Sequence, residues 1–133
     1  MDEKDELKIE YHDNGAKMSE EHYKDGIRNG FFIRWYDNGN KESECAYKDG
    51  VLHGASNNWY VNGNKESESH YKYGDPFGVW MEWHEDGSKK YEERYKNGKL
   101  NGVATGWYDR SRKRKKNYQD IYEDGKLIKT NYY

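Results

Sequence analysis

The feature that most constrains this chain is an internal period of 24 residues. Gly15, Gly39, Gly63 and Gly87 stand 24 apart, as do Gly26, Gly50, Gly74 and Gly98, and Gly30, Gly54, Gly78 and Gly102. Aromatic residues keep the same step. Tyr11, Trp35, Trp59, Trp83 and Trp107 form one column, and Tyr23, Tyr47, Tyr71 and Tyr95 form another. Tyr36, Tyr60 and Tyr108 share a third with His12 and His84. Lys17, Lys41, Lys65 and Lys89 make a basic column, and Glu20, Glu44, Glu68 and Glu92 an acidic one. So many columns in register mean tandem copies of one supersecondary unit, each needing its neighbours for stability.

The unit reads as a β-hairpin. Asn14-Gly15, Asn38-Gly39, Asn62-Gly63 and Asp86-Gly87 each lie between alternating runs, which is a strong hairpin signal. A two-residue type I′ turn at Asn38-Gly39 pairs Tyr36 with Lys41, Trp35 with Glu42, Ile33 with Glu44 and Gly30 with Tyr47. Period-two alternation then puts Phe31, Ile33 and Trp35 on one face. Phe32, Arg34, Tyr36, Cys45 and Tyr47 fall on the other. A tyrosine ring lying over the facing glycine accounts for the paired Tyr47 and Gly30 columns. The second connection, from Tyr47 to Gly54, reads as longer and polar. Successive hairpins build an all-β fold: a single-layer antiparallel β-meander of about eleven strands, elongated and twisted.

The columns aromatic-x-x-Gly-x-x-x-Gly followed by Asp/Asn-Gly resemble the MORN repeat, the membrane occupation and recognition nexus. The matching residues are Tyr23, Gly26, Gly30 and Gly39; Tyr47, Gly50, Gly54 and Gly63; Tyr71, Gly74, Gly78 and Gly87; and Tyr95, Gly98 and Gly102. The 24-residue spacing is similar to the bacterial variant of the repeat, and the likeness runs from about Leu7 to Leu127. Proteins of that variant are often grouped as antitoxins. The resemblance implies a binding fold with no catalytic residues to carry over.

Composition fits a sheet without a thick core. Only 32% of residues are hydrophobic and 36% are charged, which alone would point to disorder. Fourteen Tyr and five Trp argue otherwise, because each can bury a flank and keep a polar tip wet. The start, MDEKDELKIE, is highly charged and shows neither a signal peptide nor a membrane span, so the expected location is cytoplasmic. A net charge of −2 gives no general attraction to nucleic acid.

The chain divides as one repeat domain. Residues 1–6 are an acidic tail, 7–12 an opening half-repeat, 13–108 four repeats, 109–116 a basic insertion and 117–133 closing strands. Pro76 falls in the loop of Tyr73-Gly74-Asp75-Pro76, away from ladder bonds. In the insertion Arg110, Arg112, Lys113, Arg114, Lys115 and Lys116 are crowded together. The run is either a solvated surface loop or a contact for phosphates of lipid or nucleic acid, or for an acidic protein patch.

No catalytic, cofactor or metal site is expected. His12, His22, His53, His70 and His84 lack the spacing of a metal-ligand set, and Cys45 is alone and lacks a basic activator in sequence. The candidate binding residues are Trp35, Trp59, Trp83 and Trp107, extended by Ile33 and Met81. These rings either pack together to hold the sheet or form a partner surface. Glu42, Glu44, Glu66, Glu68 and Glu92 are expected beside them on the same face, which suits a basic protein such as a toxin or nuclease. The expected function is a non-enzymatic protein-binding module of antitoxin, immunity or inhibitor type. A membrane-surface adaptor using the basic loop and a scaffolding subunit are the alternatives.

Overall fold

The computed structural model describes residues 3–107 and 118–133, so the basic insertion lies outside the described residues. Fourteen strands follow one another: β1 (Asp5–Tyr11), β2 (Lys17–Lys24), β3 (Ile27–Trp35), β4 (Lys41–Lys48), β5 (Val51–Leu52), β6 (Gly54–Trp59), β7 (Lys65–Lys72), β8 (Asp75–Pro76), β9 (Gly78–Trp83), β10 (Lys89–Lys96), β11 (Lys99–Leu100), β12 (Gly102–Gly106), β13 (Tyr118–Glu123) and β14 (Lys126–Tyr132). No helix occurs among the described residues. All strands join one open antiparallel sheet in the order β1-β2-β3-β4-β6-β7-β9-β10-β12-β13-β14. The short β5, β8 and β11 pair with β4, β7 and β10, and each is the first half of a strand interrupted before its glycine. The expected single-layer meander is the observed fold. The opening strand begins at Asp5, two residues before Leu7.

The turns differ from the sequence expectation. At Asn38-Gly39 only the glycine has positive φ, +89°. Tyr36 O accepts from Gly39 N at 3.0 Å, and Tyr36 N donates to Asn40 O at 2.8 Å. This is a three-residue loop, a type I turn with the glycine in the left-handed region, not a two-residue I′ turn. Asn38 Oδ1 accepts from Asn40 N at 2.9 Å, and Asn14, Asn62 and Asp86 repeat the bond. That Asx bond, rather than positive φ, is why Asn or Asp stands there. The I′ geometry belongs to the other connection: Asp25, Asp49, Tyr73, Asn97 and Asp124 all have positive φ, each followed by a glycine that does too. Asp49-Gly50 is therefore the tight turn, closed by Lys48 opposite Val51.

The longer loop at Asn38 shifts the register beside it. Ile33 faces Glu44 and Gly30 faces Tyr47 as expected, but Trp35 faces Lys41, and Glu42 bulges out of the ladder. Met18, Glu66 and Lys90 bulge likewise. The Gly30 column serves a different purpose from ring coverage. Gly30 has φ +106°, and a Cβ there would come within 3.1 Å of His22 Cβ, with no Tyr47 atom within 4 Å. Residues 29–31 face His22 alone, so the glycine makes a bulge in β3. A ring over a glycine occurs at Gly106, where Tyr118 fills the space a Cβ would take. Pro76 is in β8 rather than a loop, opposite Tyr71. Its pair is one step from the turn-closing pair Lys72–Asp75, which makes it a non-hydrogen-bonded pair, where a missing N–H costs β7 nothing.

One layer leaves almost no core. Among the described residues only Ala104, Ser19, Thr105 and Gly106 are buried. Stability is spread instead along rows that tie each hairpin to the next. Tyr36 Oη donates to Trp59 O at 2.7 Å, and Tyr60 Oη to Trp83 O at 2.7 Å. His12 Nε2 meets Trp35 O at 2.8 Å and His84 Nε2 meets Trp107 O at 3.3 Å. A carbonyl only accepts, so both imidazoles carry the proton on Nε2, and histidine substitutes for tyrosine because each presents a donor at a ring tip. Tyr36→Phe is expected to cost about 1–2 kcal/mol by leaving the Trp59 carbonyl without this donor. A denaturation midpoint equal to wild type would contradict that role.

Candidate functional site: the tryptophan face

The bulges decide what stands beside the tryptophans. In a regular strand, residues three apart point to opposite faces. The extra residue at 18, 42, 66 or 90 returns the lysine and the glutamate of each repeat to one face. Lys17 meets Glu20 at 3.0 Å, Lys41 meets Glu44 at 2.8 Å, Lys65 meets Glu68 at 2.6 Å and Lys89 meets Glu92 at 3.5 Å. His22 adds to Glu20 at 3.0 Å, His70 to Glu68 at 3.2 Å and Arg94 to Glu92 at 2.9 Å. The hydrogen bond from Lys17 lowers the Glu20 pKa, with help from His22, and that from Lys65 lowers Glu68.

The same lysines reach the tryptophans. Lys17 Nζ lies 5.4 Å from the Trp35 ring centre, Lys41 5.9 Å from Trp59, Lys65 5.9 Å from Trp83 and Lys89 5.6 Å from Trp107. Each is a cation–π contact between one hairpin and the next, covered in part by the lysine stem. The four tryptophans are half-buried. Their rings are separated by lysines rather than stacked on each other.

The face is ridged. Strands β3, β6, β9 and β12 present Phe31-Ile33-Trp35, Ala55-Asn57-Trp59, Val79-Met81-Trp83 and Val103-Thr105-Trp107, and β1 presents Leu7-Ile9-Tyr11. Between them run the Lys-Glu ridges of β2, β4, β7 and β10. Ile33 stands between Glu20 and Glu44, and Met81 between Glu68 and Glu92. Sequence reasoning did not count Leu7, Phe31, Val79 and Val103 among the binding residues, yet Leu7 and Phe31 are 51% and 55% exposed. The alternation in β3 already placed Phe31 on this face, but exposure is invisible without the single layer. Asn57 occupies the place that Ile33 and Met81 hold in their ridges, and its Oδ1 is buried with no hydrogen-bond partner among the described residues. Near the far end the ridges bound a groove of about 570 Å³ lined by Glu92, Arg94, Val103, Thr105, Trp107 and Gln119.

The acidic rim is smaller than the sequence suggests. Glu44, Glu68 and Glu92 are on the face but neutralised by lysine. Glu42 and Glu66 are not beside the tryptophans as expected: they are bulge residues outside the ladder, and their charges help burial raise the pKa of Tyr36 on the opposite face. Among the described residues they carry no ion pair. Arg110, Arg112, Lys113, Arg114 and Lys115 lie outside the described residues.

The opposite face is a structural lattice of rings. Tyr71, Trp80 and Tyr95 stack in sequence at 5.3 and 4.6 Å. Arg28 lies 5.2 Å from both the Phe32 and Tyr47 rings. Tyr95 donates to Glu93 at 2.8 Å and Tyr23 donates to Glu21. Cys45 lies here, its thiol pKa pushed up by burial, which disfavours the thiolate.

The family model described as the MORN repeat variant matches residues 7–25, 28–49 and 78–97. These three segments are MORN-type repeats. The segment between the second and third matches keeps the same hairpin, with its turn at Asn62-Gly63 and its Lys65–Glu68 pair. MORN repeats commonly serve as protein- or membrane-binding modules. Comparison with curated proteins and with solved structures finds no match. No helix among the described residues is long and apolar enough to cross a membrane.

Proposed function

We propose that this MORN-repeat chain is a non-enzymatic protein-binding module that engages its partner with the tryptophan face, in the manner of an antitoxin, immunity protein or inhibitor. The observation that carries the reading is the set of apolar ridges, exposed at Leu7, Phe31, Val79 and Val103 and continuous with half-buried tryptophans. Contiguous exposed apolar surface rimmed by charge is the usual mark of a partner surface. The antitoxin form of the proposal draws on the family resemblance.

Affinity capture from the native cell, with wild-type and Phe31→Asp/Val79→Asp baits side by side, tests the proposal. Both side chains are exposed, so the bait stays folded. A partner held by wild type and lost by the variant is the expected result; a partner held equally by both contradicts it.

Anionic lipid is the second reading, supported by the basic run at Arg110–Lys116 and by the membrane-binding habit of such repeats. It predicts retention on anionic liposomes at low salt, release as salt rises, and loss on neutralising Arg112, Lys113 and Arg114 together. No retention at low salt rejects it.

A further inference from the structure

The first strand has an unused edge. His12 N bonds Ala16 O at 2.8 Å and Asp25 N bonds Lys4 O at 2.8 Å, so His12 and Lys4 direct their peptide groups toward β2. Peptide direction alternates along a strand, so Asp5, Leu7, Ile9 and Tyr11 direct theirs outward. Among the described residues β1 pairs with β2 alone. The same outward residues place their side chains on the tryptophan face, where Leu7, Ile9 and Tyr11 are exposed. Such an edge is a template for strand addition unless something blocks it. No proline and no bulge falls within β1 itself.

We infer that two copies of the chain join through β1, antiparallel across a two-fold axis at Ile9, into one continuous sheet. Three features of the strand fit a second copy. In this register Ile9 faces Ile9 of the second copy, and Leu7 faces Tyr11 of the second copy. Each pair consists of outward-directed residues, so each exchanges both backbone bonds. On the opposite face Lys8 then faces Glu10 of the second copy, and Glu10 faces Lys8, so the strand is complementary in charge to itself. Centring on Leu7 instead would set the Asp5 carboxylate against Ile9. The far edge does not share this property: β14 carries Lys126 and Lys129 and no carboxylate, so it offers no opposite-charge pair to a second copy of itself. A two-fold axis perpendicular to the sheet keeps the tryptophan face of both copies on one side. The ridges of the two chains then form one surface of doubled length. This inference stands on the edge and does not depend on which protein the face binds.

Sedimentation of the full chain over a concentration series tests it. Wild type is expected to dimerise. Ile9→Pro removes an outward N–H that β2 does not use, so it is expected to sediment as a monomer with an unchanged circular dichroism spectrum. Lys8→Glu is expected to weaken the dimer about tenfold, by turning two symmetry-related attractive pairs repulsive. Adding Glu10→Lys restores the complementarity and the dimer, which separates this effect from any loss of folding. In a Cys45→Ser background, Ile9→Cys is expected to form an intermolecular disulfide, since hydrogen-bonded antiparallel partners lie about 5.5 Å apart at Cα. A wild-type monomer at every concentration overturns the inference. So does a dimer that survives Ile9→Pro, or one that Trp59→Ala dissociates while β1 is intact.

Discussion

Gly30→Val is expected to be strongly destabilising, with a loss of about 3–5 kcal/mol from two separate sources. Valine at φ +106° is strained, and its Cβ would stand 3.1 Å from His22 Cβ, an atom fixed to the neighbouring backbone that cannot swing away. For a chain of this size the melting temperature should fall by roughly 10–15 °C. Gly78→Val is the control. Gly78 shares the column and has φ +70°, but nothing lies within 4 Å of its would-be Cβ, so strain alone acts and the fall should be clearly smaller. Equal melting temperatures for the two variants would show that the His22 contact does not constrain this bulge.

That glycine column shows where sequence reading succeeds and where it stops. A 24-residue period with Asn/Asp-Gly punctuation leaves little freedom in topology, so the single antiparallel meander and its Ile33–Glu44 and Gly30–Tyr47 registers were legible. The turn types were exchanged. Asn-Gly fits both a I′ turn and a type I turn closed by a left-handed glycine, and only the loop length separates them. The spacing from Tyr36 to Lys41 does not reveal that length. One misplaced residue then propagates: it conceals the bulge at Glu42, and with it the return of Lys41 to the tryptophan face. Tyr36 and Tyr60 appeared to line a second surface, whereas their hydroxyls are spent on the carbonyls of Trp59 and Trp83.

Trp59→Ala is expected to weaken partner binding by roughly 2 kcal/mol or more, mainly through faster dissociation, because Trp59 stands at the centre of the ridged face. The fold should survive. The link from Tyr36 goes to the Trp59 backbone carbonyl and remains, while the contact with Lys41 at 5.9 Å is lost. A cation–π contact at a partly exposed site is worth about 0.5–1 kcal/mol, so part of any change in melting temperature is accounted for separately. Unchanged binding by a folded Trp59→Ala chain would contradict the anchor role.

The candidate site was half legible for the same physical reason as the turns. A tryptophan every 24 residues marks a face without any structure. What each tryptophan touches depends on which residue faces it, and that depends on the bulge. Regular alternation would have set Glu42 against Trp35; the structure sets Lys41 there and carries Glu44 to the adjoining row. An apparently acidic rim is therefore a ladder of ion pairs, and the partner's contribution shifts toward the apolar ridges. The basic run from Arg110 follows the last ridge in sequence and lies outside the described residues.

Which face binds is the central claim, and the affinity of the captured partner for matched variants of the two faces tests it most directly. Trp59→Ala and Phe31→Asp alter the ridged face, while Tyr71→Ala alters the ring lattice opposite. With folding of each variant verified by its melting transition, the account predicts dissociation constants raised at least about tenfold for the first two and unchanged for the third. An affinity lost through Tyr71→Ala and kept by both ridge variants would contradict it.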